Sequence, residues 1–152
     1  TVAQMLLTWE DFDHENRLHN LQNTLERLLQ LHAIPIINEN DPVACEEYSL
    51  GDNDTLAALV AKCIHADLVV LMSDIDGLYD SDPRKNPDAK KFDTITYSDV
   101  LNRDLKVMDA TATALCRDNK MPIMVFDINE PGCFERAVSG QNVGTTVFEE
   151  EN

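Results

Sequence analysis

Residues 33–72 read "AIPIINENDPVACEEYSLGDNDTLAALVAKCIHADLVVLM", and the reading of this stretch decides the fold. "AIPII" (33–37) is a short apolar run that predicts a strand. From Asp54 to about His65, apolar residues recur at helical spacing and turn Leu56, Leu59, Val60 and Cys63 inward. "DLVVLM" (67–72) is apolar at successive positions, as a parallel strand covered on both faces is. "VACEEYSL" (43–50), between the first strand and the helix, reads as an extended excursion or hairpin. Strand, helix, strand is the unit from which parallel sheets are built.

The same alternation extends in both directions. Upstream, "TVAQMLL" (1–7) reads as a strand and "TWED" (8–11) as a helix start with Thr8 as N-cap. Leu18, Leu21, Leu25, Leu28 and Leu29 then form one apolar stripe, with Glu26, Arg27 and Gln30 toward water. Downstream, "TYSDVLN" (96–102) and "VMDATATALCRDN" (107–119) read as helices and "MPIMVFDI" (121–128) as a strand. "EPGCFERAVSG" (130–140) reads as a helix with Pro131 in its first turn, and "GTTVF" (144–148) as a last strand. The fold class expected is α/β: one mostly parallel sheet, helices on both faces, and "AIPII", "DLVVLM" and "MPIMVF" at its centre. Residues 75–95 have no periodicity and are rich in Asp, Pro, Lys and Asn, which predicts a long surface loop; loops of that length are commonly functional.

Bulk composition narrows the function classes. The chain has 152 residues, 43% of them hydrophobic, enough for one domain with a core. A formal net charge of −16 without a basic stripe argues against nucleic-acid or anionic-membrane binding. Cys45, Cys63, Cys116 and Cys133 lack a CxxC pair or metal spacing and read as reduced thiols of a cytoplasmic protein, so no metal ligand set is assigned. His14, His19, His32 and His65 lie in or beside helices and share no motif. No apolar run approaches the roughly 20 residues of a membrane span, and no signal peptide is expected. The chain opens on Thr1 rather than Met, so an upstream portion is expected to have preceded it.

Three polar clusters stand at the ends of apolar runs. "NEND" (38–41) follows the "AIPII" strand, "GDND" (51–54) opens the next helix, and "SDIDGLYDSDP" (73–83) follows "DLVVLM". Asp, Asn and Gly are ordinary turn and cap residues, so each cluster alone is explained by turn chemistry. Ligands of open α/β sheets, however, bind beyond the C-terminal ends of strands, which is where these clusters fall.

These residues also carry a resemblance. "VAQMLLT", "NTL", "IPIINEND", "GDNDTLAALVA", "SDIDGLY" and "DPRKNPDAK" resemble glutamate 5-kinases of the amino acid kinase family over about residues 1–92. From about residue 93, "FDTITYSDVLNRDLKVMDATATALCRDNKMPIMVF" and "RAVSGQNVGTTV" are similar instead to bacterial UMP kinases of the same superfamily, up to about residue 148. "DGLYDSDPRKNPDAKKFDT" (76–94) fits both. The resemblance implies a single, partial αβα kinase domain that uses ATP and Mg, homo-oligomeric in its intact form. Its acceptor would be glutamate, phosphorylated in the first step of proline synthesis, or alternatively UMP in pyrimidine metabolism. It implies that Asn38, Asp41, Asp52 and Asn53 contact glutamate, that Asp54 organises the catalytic lysines, and that Ser73 and Asp74 line the ATP site. In the UMP kinase reading Tyr79 and Asp82 contact the adenine nucleotide; Asp109 matches an acidic position to which no role is given. The "GTGG" segment with its lysine and the Lys-containing phosphate loop of the N-terminal half are absent from these residues, so an alternative of another class is a fragment that binds nucleotide without transferring phosphate.

Overall fold

The computed structural model describes residues 1–44, 50 and 52–150. The chain divides into two compact units, Thr1–Ala66 and Asp67–Asn152. The first contains β1 (Val2–Leu7), α1 (Glu10–Asp13), α2 (Glu15–Gln30), β2 (Ile34–Glu39) and α3 (Asn53–Cys63). The second contains β3 (Val69–Ser73), β4 (Thr94–Thr96), α4 (Tyr97–Asn102), α5 (Ala110–Asp118), β5 (Ile123–Asp127), α6 (Cys133–Val138) and β6 (Thr145–Phe148). The α/β class and the predominance of parallel pairing are as expected: β1 with β2, β3 with β5 and β4 with β6 are parallel, and β5 with β6 is antiparallel.

In the first unit β1 and β2 pair from Val2 opposite Ile34 to Leu7 opposite Glu39. Paired residues share a face, so Met5, Leu7 and Ile37 point one way, into a core with Leu21 and Leu25 of α2 and Leu56 and Cys63 of α3. The opposite face holds Val2, Leu6, Ile34 and Ile36, which are 64, 44, 66 and 57% exposed. For this sheet the expected cover on both faces is therefore not found among the described residues. The leucine stripe of α2 is also narrower than its spacing suggests: Leu21 and Leu25 are buried, Leu28 is half-buried, and Leu29 faces solvent.

The second unit's sheet runs in the order β3-β5-β6-β4. Strand β5 is central and buried at four successive positions, Ile123–Phe126, as a strand covered on both faces must be. The central placement expected for "DLVVLM" and "AIPII" is corrected: among the described residues β3 is an edge strand with Met72 exposed, and β2 pairs with β1 alone. Continuous apolar character reports what lies above and below a strand; it does not say which strand flanks it along the hydrogen-bond direction. "VACEEYSL" lies largely outside the described residues.

Helix ends follow local chemistry closely. Asp52, Thr96 and Asp109 are N-caps whose side chains accept from the backbone N–H groups of Asp54, Asp99 and Ala112. Thr8 is not the N-cap of α1; Trp9 holds that position, and the Thr8 N–H and hydroxyl instead donate to the Asp11 carboxylate at 2.7 and 3.1 Å. Pro131 likewise precedes α6. Glu130–Cys133 close a turn, with Cys133 N–H donating to Glu130 O and Gly132 at φ 74°, and Pro-Gly at the middle of such a turn is favoured over Pro inside the helix. Four helices end in one way. His32, His65, Asp104 and Lys120 take the left-handed conformation just past α2, α3, α4 and α5. In each the following residue donates back across the last turn, as Ala33 does to Leu28 and Leu105 to Val100. His32 and His65 thus serve as helix-end residues.

Tyr97 anchors the second unit. Its side chain is fully buried and its hydroxyl donates to the Met121 carbonyl at 2.7 Å, tying the start of α4 to the entry of β5. Burial, with lesser contributions from Cys116 and Glu149, pushes its phenol well above the ordinary value of 10.0. A raised folded-state value stabilises the protein fully below the unfolded value, and that contribution is lost as pH climbs past it. Stability should therefore fall as pH rises above 10.0. Tyr97→Phe should cost about 1 to 2 kcal/mol at neutral pH, by leaving the Met121 carbonyl unpaired, and should flatten that alkaline decline; urea unfolding across pH checks both.

Candidate functional site

Strands β3 and β5 run parallel with Ser73 opposite Asp127, so their C-terminal ends place polar residues side by side. Beyond them opens a cavity of about 700 Å³. Asp74, Asp76 and Asp127 line it from the strand ends; Tyr79, Asp82 and Arg84 line it from the loop that follows β3; Asp104 and Lys106 come from the segment after α4. Three of the four nucleotide residues inferred from sequence, Asp74, Tyr79 and Asp82, are gathered on this cavity. Ser73 is not among its lining; it sits one residue back, its hydroxyl donating to Asp74 at 3.4 Å.

The loop framing the cavity is pinned, which its sequence does not announce. Leu78 is buried, and its N–H donates to the Thr145 hydroxyl at 2.8 Å. That hydroxyl, itself fully buried on β6, donates in turn to the Phe92 carbonyl at 2.5 Å, while Phe92 N–H donates to Leu78 O. Tyr79 bridges to Lys91 across the loop, and Asp80 and Lys90 exchange hydrogen bonds. The Lys90 N–H holds the Asp80 carboxyl below the usual carboxylate range. A period-free stretch therefore closes at its base instead of lying loose on the surface.

Inside the cavity the polar groups are partly engaged. The Tyr79 hydroxyl donates to both Asp76 oxygens at 2.9 and 3.0 Å, and Lys91 Nζ lies 3.3 Å from one of them. Partial burial works to raise the Asp76 carboxyl, but these two donors outweigh it and hold the group below its ordinary value. The same contact with Asp76 raises the Tyr79 phenol. Asp82 serves as a turn residue as well: one oxygen accepts from Arg84 N–H at 2.9 Å and the other pairs with Lys85 at 3.5 Å. Asp76, Asp127, Arg84 and Lys106 were not singled out by the sequence reading. Asp127, at the end of an apolar strand, carried the same signal as Asp74; Lys106 carried none.

The first unit holds the other candidates. Asn38 stands at the end of β2 and Asp41 just beyond it; Asp52, Asn53 and Asp54 form the start of α3. The Glu39 carboxylate accepts from Leu50 N–H at 2.7 Å, and Asn40 N–H donates to Leu7 O at 2.7 Å. Asn38, Asp41, Asp52 and Asn53 are exposed, Asp54 is half-buried, and Asp52 spends one oxygen on capping α3. Asp109, given no role from sequence, caps α5 at 2.8 Å. No helix among the described residues is long and apolar enough to cross a membrane. Cys63, Cys116 and Cys133 are buried free thiols.

With this geometry in view, the sequence matches the amino acid kinase family over residues 1–127. It is similar to glutamate 5-kinase of Caldanaerobacter subterraneus subsp. tengcongensis, with 38% identity over 166 aligned positions, covering 99% of this chain and 44% of that protein. The glutamate 5-kinase of Acinetobacter baumannii is 38% identical over 155 positions, covering 95% and 41%. That of Paramagnetospirillum magneticum is 59% identical over 90 positions, covering 59% and 24%. Among solved structures, UMP kinase from Bacillus anthracis superposes with a TM-score of 0.76 at 27% identity, covering 86% of this chain and 52% of that one. UMP kinase from Ureaplasma parvum does so with a TM-score of 0.74 at 28% identity, covering 84% and 53%. The chain spans less than half the length of the curated relatives it matches.

The cavity depends on the Thr145 clasp. Thr145→Val, nearly equal in shape, leaves the buried Leu78 N–H and Phe92 carbonyl each short of a partner. It should cost about 2 kcal/mol or more and raise protease sensitivity within residues 79–91, read by denaturant unfolding and limited proteolysis. Wild-type stability with an unchanged cleavage pattern would show that the loop is held by other means.

Proposed function

Because the chain belongs to the amino acid kinase family, we propose that it is the nucleotide-binding part, with acceptor residues, of an ATP-dependent phosphotransferase of the glutamate 5-kinase type. Such an enzyme phosphorylates the side-chain carboxylate of glutamate in the first step of proline synthesis. The observation that carries this reading is the cavity beyond β3 and β5, framed by a pinned loop, in a chain similar to a glutamate 5-kinase over 99% of its length. Adenine nucleotide docks there beside Asp74, Tyr79 and Asp82, with Ser73 behind Asp74. The Tyr79 ring and the Ile75, Leu78 and Leu105 side chains offer apolar surface to a base. Asp74 and Asp127 offer the oxygen ligands that a nucleotide-borne Mg²⁺ prefers. The free thiols suit a reducing compartment, which fits a cytoplasmic enzyme.

The acceptor residues are Asn38, Asp41, Asp52 and Asn53, with Asp54 organising the catalytic lysines of the complete enzyme. Glutamate brings an ammonium group for Asp41 and Asp52 to pair with, whereas UMP at neutral pH brings two negative charges that these carboxylates repel. A second reading, UMP kinase, is favoured by the two structural neighbours and by the segments after residue 93, where the glutamate-type resemblance of residues 1–92 gives way. A third reading keeps nucleotide binding without transfer. Phosphoryl transfer draws on positive charge around the transferring group, and the "GTGG" segment with its lysine has no counterpart in these residues.

Thermal denaturation separates the acceptors. Millimolar glutamate should raise Tm and UMP should not, with a gain on the order of 1 kcal/mol or less if the ligand is a few-fold above its dissociation constant. Asp41→Ala should abolish the shift; it is a cleaner probe than Asp52→Ala, which also removes the α3 cap. A coupled ADP assay on the 152 residues should read no glutamate-dependent turnover. A shift with UMP alone would transfer the assignment to the second reading.

A further inference from the structure

The nucleotide cavity has a neighbour. A second cavity of about 410 Å³ shares Asp104, Leu105 and Lys106 with the first, so this short segment forms a ridge between the two. Its backbone is fixed from both sides. Asp104 holds the left-handed position that ends α4, with N–H bonds from Asp104 to Leu101 O and from Leu105 to Val100 O, and three residues beyond Lys106 the Asp109 cap begins α5. The exposed Lys106 side chain therefore projects from a defined point.

Its electrostatic setting is mixed. The larger cavity is lined by five carboxylates, those of Asp74, Asp76, Asp82, Asp104 and Asp127, and by two cations, Arg84 and Lys106. Five other cations pair with acids: Arg17 with Glu10 and Asp11, Lys91 with Asp76, Lys85 with Asp82, Arg117 with Asp118, and Arg136 with Glu130. Among the described residues neither Lys106 nor the Arg84 guanidinium is engaged in an ion pair, although carboxylates line the same walls. In a chain of net charge −16, two uncommitted cations that line one cavity together offer an anion a concave place to bind.

We infer that Lys106, assisted by Arg84, holds the phosphate chain of the nucleotide in this cavity. The inference rests on the nucleotide reading given above and adds the cations that reading lacks. Lys106 faces the phosphates as a point charge and Arg84 as a two-pronged donor, while the carboxylates at the strand ends meet the accompanying Mg²⁺. The ligand is accordingly a magnesium nucleoside polyphosphate rather than a bare nucleoside, whose binding would leave both cations unused.

Isothermal titration of the full chain with MgATP, magnesium tripolyphosphate and adenosine tests this at fixed ionic strength. Lys106→Gln should weaken MgATP and magnesium tripolyphosphate about tenfold and leave adenosine unchanged, with Lys106→Arg retaining most of the affinity and Arg84→Gln giving a smaller loss of the same selectivity. If the parent binds MgATP and neither Lys106→Gln nor Arg84→Gln weakens it, the inference fails while the nucleotide site stands. An equal loss for all three ligands would also overturn it, since that marks damage to the cavity rather than to phosphate binding. A parent that binds neither MgATP nor magnesium tripolyphosphate overturns both readings.

Discussion

A single hydroxyl, that of Thr145, closes the loop on which the cavity depends. It accepts from Leu78 and donates to Phe92, so two points far apart along the loop meet on one atom of β6. The packing around it leaves no room. At Gly144, φ is 68° and an added Cβ would lie 1.9 Å from the Val125 carbonyl; at Gly77, φ is 148° and an added Cβ would lie 2.6 Å from the Thr145 hydroxyl itself. Backbone that approaches this closely admits only glycine, and a buried hydroxyl with both its donor and acceptor capacity used is costly to disturb. The clasp thus converts a polar, aperiodic segment into a wall carrying Tyr79, Ser81, Asp82 and Arg84.

Electrostatics then decides what that wall can hold. Most carboxylates near the cavity are partnered locally, by a tyrosine hydroxyl, a lysine, or the backbone N–H of a turn. Such pairing reduces the repulsion that a strongly acidic chain would direct at a phosphate, without abolishing it. In the proposed reading, magnesium as a companion ion and the two cations Lys106 and Arg84 supply the remainder, and the ligand is a polyphosphate with its metal. The first unit presents the converse arrangement: Asp41 and Asp52, exposed and accompanied by Asn38 and Asn53, suit an ammonium-bearing acceptor.

Much of this was legible in the sequence, for reasons that differ by element. Strand β5 and helix α3 were readable because their apolar spacing reflects cover on known faces, and the Asp52 cap belongs to local rules that need no tertiary knowledge. Strand order was not readable, since nothing in "DLVVLM" encodes that, among the described residues, β3 has a neighbour on one side only. The polar ends of β3 pointed to Asp74, Tyr79 and Asp82 through turn composition and family likeness together. Lys106 escaped because its relevance comes from a ridge built by the end of α4, and Thr145 because its partners are 67 and 53 residues away. The four non-glycine residues in left-handed helix ends escaped because the usual glycine signal is absent there.

The central claim is that adenine nucleotide occupies the cavity beyond β3 and β5 and rests against the clasped loop. Amide hydrogen exchange followed by mass spectrometry, with and without MgADP, addresses it directly. The account predicts slowed exchange in residues 74–84 and 104–106, and little change at 38–44 and 52–54. Unchanged exchange at 74–84 and 104–106 under saturating MgADP, with protection appearing instead around Asn38, Asp41 and Asp52, would contradict it.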